Sequence, residues 1–197
     1  MNYLAIDTSS NICSVTSSFN SEINTLEENN VREHSKYLSI FCKKLLKGRI
    51  NEIDFIALSI GPGSYAGLKT SSSYVKGLAY SLSKPIVPIN TFDGINFSIK
   101  SEQKYFIALY SHRDFAFYQL YNSKGSMEGQ YCDKINNMEK NNIYGYGFND
   151  EHLKNLKYIE VRPSSKNIGM IADRKFNNLS TTSINDISPI FLSVEKK

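Results

Sequence analysis

The 197-residue chain has no apolar run approaching the roughly 18 residues that a membrane-spanning helix requires, which predicts a protein that is not integral to a membrane. Its start, Met1-Asn2-Tyr3-Leu4-Ala5-Ile6, reads as a strand and holds no basic leader followed by an apolar segment and a cleavage site, so a cytoplasmic location is expected. Cysteine is scarce. Cys13, Cys42 and Cys132 are odd in number and far apart, which excludes a disulfide framework or a CxxC metal clip and predicts reduced, mostly buried thiols. Histidine is equally thin: His34, His112 and His152 show no HxxxH or HExxH spacing, so no ready-made zinc or iron ligand set exists. No nucleophile elbow marks a Ser-His-Asp arrangement. The net charge of +4 is spread along the chain without a basic run, which gives only a weak pull on polyanions.

What remains is ordinary globular material. Apolar residues make up 41% and charged residues 21%, and the length suits one large core or two small ones. Tyr3 to Asp7 and Ile12 to Thr16 alternate around the turn residues Thr8-Ser9-Ser10-Asn11, predicting a hairpin, with a third strand near Glu22 to Glu27. The period then changes. Tyr37, Leu38, Phe41, Cys42, Leu45 and Leu46 recur at helical spacing, predicting a helix from His34 to Lys47 stopped by Gly48. Phe55 to Ile60 reads as a buried strand, Ser64 to Leu82 as a second helix, and Pro85 to Ile89 as another strand with its prolines toward the ends. Three antiparallel strands followed by helix, strand, helix, strand make an α/β unit with a mixed sheet.

The pattern starts again after a boundary near Ser98 to Gln103. Strands are expected at Tyr105 to Tyr110, Phe115 to Tyr121, Met127 to Cys132 and Ile143 to Phe148, and a closing helix from Ser164 to Lys175. No residue-by-residue repeat accompanies this, so duplication rests on element order.

Three features carry candidate chemistry. Gly61-Pro62-Gly63-Ser64-Tyr65-Ala66-Gly67 turns a strand sharply into a helix, which serves either a tight structural turn or an anion at the helix start. It is not a Walker loop, since Lys69 stands two residues past Gly67 with Leu68 between. The following helix is rich in small residues (Ala66, Gly67, Ser71, Ser72, Ser73, Gly77, Ala79), which suits either a second helix packed closely on it or tight packing on the chain's own sheet. Asp7, ahead of Thr8 and Ser9, is either a hydrogen-bonding turn residue or the metal-linked carboxylate that actin-like ATPases place after their first strand.

Taken in order, Leu4-Ala5-Ile6-Asp7-Thr8, Cys13-Ser14-Val15, Arg32-Glu33-His34-Ser35, Gly61 through Lys69, and Lys76-Gly77-Leu78-Ala79 resemble the N-terminal half of bacterial TsaB (YeaZ) proteins. The match covers about residues 1 to 95 and is thin beyond them. The resemblance implies an actin-like ATPase (ASKHA) fold of two ribonuclease H-like subdomains with mixed sheets, residues 1–100 for partner docking and a reduced second subdomain over 101–197. It implies a non-catalytic scaffold without a cofactor of its own, which binds and activates TsaD, the transferase that forms threonylcarbamoyladenosine on tRNA. A TsaE-like ATPase docks on the assembled pair, tRNA is reached only through the complex, and self-association uses the same helices.

In TsaD an HxxxH motif holds metal; the corresponding positions here are Thr91 and Ile95, neither able to replace an imidazole. The implied docking residues are Tyr37, Phe41, Ser71, Tyr74 and Leu78. Tyr110-Ser111-His112 and Phe191-Leu192-Ser193 depart from the family's usual Asp-Ala-Arg and Tyr-Leu-Arg. The competing functions are an actin-like ATPase, a glycoprotease-type peptidase and a homodimeric binding module.

Overall fold

A computed structural model of the chain describes residues 1–127, 129–138, 141–153 and 156–194. The chain first lays down β1 (Tyr3–Asp7), β2 (Cys13–Phe19), β3 (Glu22–Glu28), α1 (His34–Leu46), β4 (Phe55–Ser59), α2 (Tyr65–Leu82), β5 (Ile86–Ile89) and α3 (Thr91–Asn96). It continues with β6 (Tyr105–His112), β7 (Phe115–Asn122), β8 (Gly125–Ser126), β9 (Tyr131–Lys134), β10 (Asn142–Tyr146), β11 (Lys157–Glu160) and α4 (Ser165–Leu179).

The first sheet has the order β3-β2-β1-β4-β5, antiparallel from β3 to β1 and parallel from β1 to β5. The second repeats that scheme as β8-β7-β6-β10-β11, with β9 also paired to β7. Duplication by element order is therefore visible in the topology. Among the described residues α1 has no helical counterpart of its length in the second half, where a short 3-10 turn over Ile135–Met138 stands in its place.

Every residue of β1 and β4 is buried, because both faces of the first sheet are covered. Leu4, Ile6, Ile56 and Leu58 point to one side, where Leu38, Phe41 and Cys42 of α1 and Val75 and Ala79 of α2 meet them. Tyr3, Ala5, Phe55 and Ala57 point to the other, where Ile168, Ile171 and Ala172 of α4 close the layer. Two-sided burial turns strand alternation into continuous apolar runs. α4 comes from the second half of the sequence yet packs on the first sheet.

The second sheet keeps its own smaller cores. Phe106, Ala108, Ala116 and Ile143 face Ile135 and Met138, and Ile107, Leu109 and Tyr121 face Phe92 and Ile95 of α3.

Local chemistry explains the boundaries. α1 ends as expected, with Lys47 in the left-handed conformation (φ 46°) and its N–H on the Lys43 carbonyl, just before Gly48. α2 opens on Ser64, whose hydroxyl accepts from the Gly67 N–H at 3.3 Å, and closes on left-handed Ser83. Two expectations are corrected. Pro88 lies inside β5, tolerated because β5 is the edge of its sheet. The strand expected from Met127 to Cys132 is split into β8 and β9, with residue 128 outside the described residues. Neither α3 nor β11 was expected.

Candidate partner-docking face and the loop beneath it

After β4 the chain passes through Gly61-Pro62-Gly63 into α2. Ser64 N–H donates to the Ser9 carbonyl at 2.7 Å, and the Thr8 hydroxyl donates to the Gly67 carbonyl at 2.8 Å. A Cβ on Gly63 would collide with the Ser9 backbone, and one on Gly67 with the Thr8 carbonyl. These two glycines therefore let the β1–β2 turn lie directly against the start of α2. The turn presents carbonyl oxygens to the loop, which repel an anion, and the Lys69 ammonium sits 4.8 Å over the Tyr65 ring. Between the two readings of the loop, the geometry favours the structural turn over the phosphate cradle.

Asp7 follows the same logic. It is only 2% exposed, and its Oδ1 accepts from the Ser9 N–H (2.8 Å) and the Ser9 hydroxyl (2.7 Å). Its Oδ2 is buried with no partner. Burial raises its pKa above the usual aspartate value, against the opposing pull of the Ser9 bonds. The two bonds from Ser9 close a tight turn, the hydrogen-bonding role of an aspartate that follows a strand. Thr91 and Ile95, both on α3 and both buried, sit beside this cluster and over the second sheet respectively; the Thr91 hydroxyl is 2.8 Å from that of Ser59. Among the described residues no group of three or more His, Cys, Asp or Glu side chains is placed to hold a metal ion.

Above the loop, α1 and α2 lie side by side. His34 Nε2 is 3.4 Å from where a Gly67 Cβ would stand, and Tyr74 of α2 lies against Cys42 of α1. Nearly equal sequence offsets at the two contacts make the helices parallel. Burial pushes the Cys42 thiol up to about 11, so it is an inert packing group rather than a reactive one.

Of the docking residues implied by the sequence, Phe41 (8% exposed) and Ser71 (0%) lie inside the chain's own core. Tyr37, Tyr74 and Leu78 are half-buried around that core and reach the surface. The small residues of α2 divide likewise. Gly67, Ser71 and Ser72 face inward, while Ser73 and Gly77 face outward, with nothing within 4 Å of an added Gly77 Cβ. Sequence reasoning missed Ile40 (39% exposed) and Tyr80 (78%), which stand on the outer side of the two helices. The signal available was their misfit: neither belongs to the inward-facing stripe of its helix.

The chain folds back at its end. Ile190 N–H donates to the Ile60 carbonyl at 2.7 Å, and the Phe191 ring packs on Tyr65 with centroids 4.7 Å apart. Between the two sheets this leaves a cleft of about 570 Å³, bordered by Ser9, Ser64 and Tyr65 on one side and Tyr110 and Tyr146 on the other.

Two mixed sheets of one repeated strand order, with a helical pair on the outside of the first, define the class. YeaZ from Pseudomonas aeruginosa has this fold, with a TM-score of 0.81 at 17% identity over 97% of this chain and 99% of that chain. The family model described as TsaD, tRNA N6-adenosine threonylcarbamoyltransferase, matches residues 25–196. The chain is 31% identical over 90 residues to the tRNA threonylcarbamoyladenosine biosynthesis protein TsaB of Haemophilus influenzae, covering 44% of this chain and 38% of that protein. It is 37% identical over 91 residues to the TsaB of Buchnera aphidicola from Schizaphis graminum, covering 45% and 43%. The chain belongs to this family, on its TsaB/YeaZ side. It matches less than half the length of those two curated relatives.

Proposed function

We propose that this chain is a non-catalytic docking subunit in the synthesis of N6-threonylcarbamoyladenosine on tRNA. It binds a TsaD-type catalytic subunit through the outer side of α1 and α2 and holds it in its active arrangement. Residues 1–100 together with α4 form the docking unit, and the second sheet forms the smaller unit. In this reading Tyr37, Tyr74 and Leu78 meet the partner directly, while Phe41 and Ser71 support them from below. A TsaE-type ATPase joins the assembled pair, tRNA is reached through the complex, and the chain works in the cytoplasm. The repeated strand order supports an actin-like fold of two ribonuclease H-like subdomains. Among the described residues no helix is long and apolar enough to cross a membrane.

The observation that carries the reading is the outer helix pair, which exposes Ile40 and Tyr80 on the part of the chain that holds the family motifs. Supporting it, Thr91 and Ile95 put a hydroxyl and an aliphatic group where a metal-binding relative needs imidazoles, and the glycine loop is filled by backbone. The test is reconstitution. Purified TsaD-, TsaE- and adenylate-forming TsaC-type proteins should modify tRNA only when this chain is added, and modification at full rate without it would end the proposal.

A further inference from the structure

Residues 187–194 belong to neither sheet yet run from the core of one unit to the strands of the other. The start of this segment is seated on the first unit. Just upstream, Thr181 and Ile86 exchange backbone hydrogen bonds of 2.9 and 2.8 Å. Ile187, 1% exposed, belongs to the core shared by α1 and α2. The Ile190 N–H then donates to the Ile60 carbonyl, and the Ile190 carbonyl stands 2.7 Å from where a Cβ on Gly61 would be. Gly61, at φ 106°, leaves the tail backbone room against the loop that opens α2.

Beyond Ile190 the segment changes character. Phe191 packs on Tyr65 of the first unit and, with Leu192, borders the inter-sheet cleft that Tyr110 and Tyr146 line from the second. Phe191 and Leu192 also border a neighbouring hollow of about 590 Å³, lined from the second unit by Phe115 at the start of β7 and Tyr131 of β9. The same two residues are therefore the partition between two cavities. The partition lies at the surface, with Phe191 46% and Val194 37% exposed. Among the described residues no backbone–backbone hydrogen bond joins Phe191–Val194 to the second sheet, so side-chain packing holds this stretch in place.

The two units have other ties. Phe92 and Ile95 of α3 pack on Ile107 and Tyr121, while Arg162, between β11 and α4, bonds the Asn29 side chain and lies over the Tyr146 ring. Neither α3 nor Arg162 borders the cleft, whereas the tail does. Units joined through a modest interface move relative to each other unless a further contact restrains them.

We propose that residues 188–194 form a strap that sets the width of the inter-sheet cleft. Anchored on the first unit through Ile190 and laid against the second by Phe191, Leu192 and Val194, it holds the two sheets at one separation. Lifting it joins the cleft and the neighbouring hollow into a single opening while both units keep their folds. The strap lifts from the end that is only packed, because the bonded end at Ile60 has more to lose. This device is independent of the docking function proposed above.

The test measures the separation directly. Asn11, in the turn between β1 and β2, and Asp114, in the turn between β6 and β7, are exposed, one on each unit. The native cysteines are buried, so Asn11→Cys/Asp114→Cys takes one spin label at each position. Double electron–electron resonance should give a single narrow distance for the whole chain. The same pair in a chain stopped after Ile187 should give a longer and broader distribution, while near-UV circular dichroism still shows a cooperative urea transition. Phe191→Ala/Leu192→Ala keeps the Ile190 anchor and should broaden the distribution in the same direction. Phe191→Tyr keeps the ring and should match the unaltered tail. A distribution that neither the stop nor the double variant moves overturns the strap. Loss of the cooperative transition in the chain stopped after Ile187 also overturns it, because the tail would then be part of the core rather than a strap laid over it.

Discussion

The Ser165 hydroxyl at the start of α4 lies 2.7 Å from that of Ser14 on β2 and 2.7 Å from that of Thr16, joining residues 151 and 149 positions apart. The Ser165 N–H adds a bond to the Ser14 oxygen at 3.1 Å. These bonds seat α4 on the first sheet, with Ile168, Ile171 and Ala172 covering Tyr3, Ala5, Phe55 and Val87. A helix from the end of the chain thus completes the layer begun at its start.

A fragment of residues 1–100 should therefore fail to fold cooperatively, because one whole face of its sheet would be left in water. Near-UV circular dichroism and urea unfolding should show no native transition, whereas the intact chain shows one. In the intact chain Ile168→Ala should cost about 2–5 kcal/mol, as expected of a truncated fully buried isoleucine.

Gly67→Val should be severely destabilising, by about 3 kcal/mol or more, since the added carbon meets the Thr8 carbonyl of the backbone rather than a side chain that can move. Loss of the folded protein on expression, or a large drop in urea midpoint, checks it. A variant as stable as the parent would show that the turn and α2 are not in contact.

Gly77 gives the opposite result. It sits in the middle of α2 with open space beside it, so Gly77→Gln should stabilise the isolated chain by up to about 1 kcal/mol. The same side chain stands on the outer face and should weaken the partner complex. A melting temperature that rises while affinity falls separates docking from folding; unchanged affinity places the contact elsewhere.

Asp7 should make its own contribution to stability fade as pH rises. Its folded pKa is raised above the ordinary 3.8, first by burial, so between those two values the folded chain keeps a proton that the unfolded chain has released. Its contribution is full below the unfolded value and declines as pH climbs through the folded one. Asp7→Asn cannot ionise, so its stability relative to the parent should improve from about pH 4 to pH 7 in paired urea titrations. His34, whose pKa burial lowers, gives the reverse trend, but it is present in both proteins and cancels. A pH-independent difference would mean that Asp7 is not held in its neutral form.

Much of the first unit was legible in the sequence because its elements are long and periodic. α1, α2 and the strands from β1 to β5 fall within a few residues of their expected bounds. α3 escaped because six residues, with only Phe92 and Ile95 as apolar markers, make too short a period to read. β11 escaped because Lys157, Ile159 and Glu160 are exposed, so no buried alternation marks it. The loop glycines were visible as a motif, but whether they admitted a ligand or a neighbouring turn depended on where Thr8 and Ser9 came to rest.

By itself the sequence determined the two-fold run of strands, the helical pair and the family, because these follow from local periodicity and from motifs read in order. Only the tertiary structure decided which small residues of α2 face inward and that α4 closes the first sheet. Each of these depends on contacts or alignments between residues far apart in the chain, and a linear pattern carries no record of which distant face a side chain will meet.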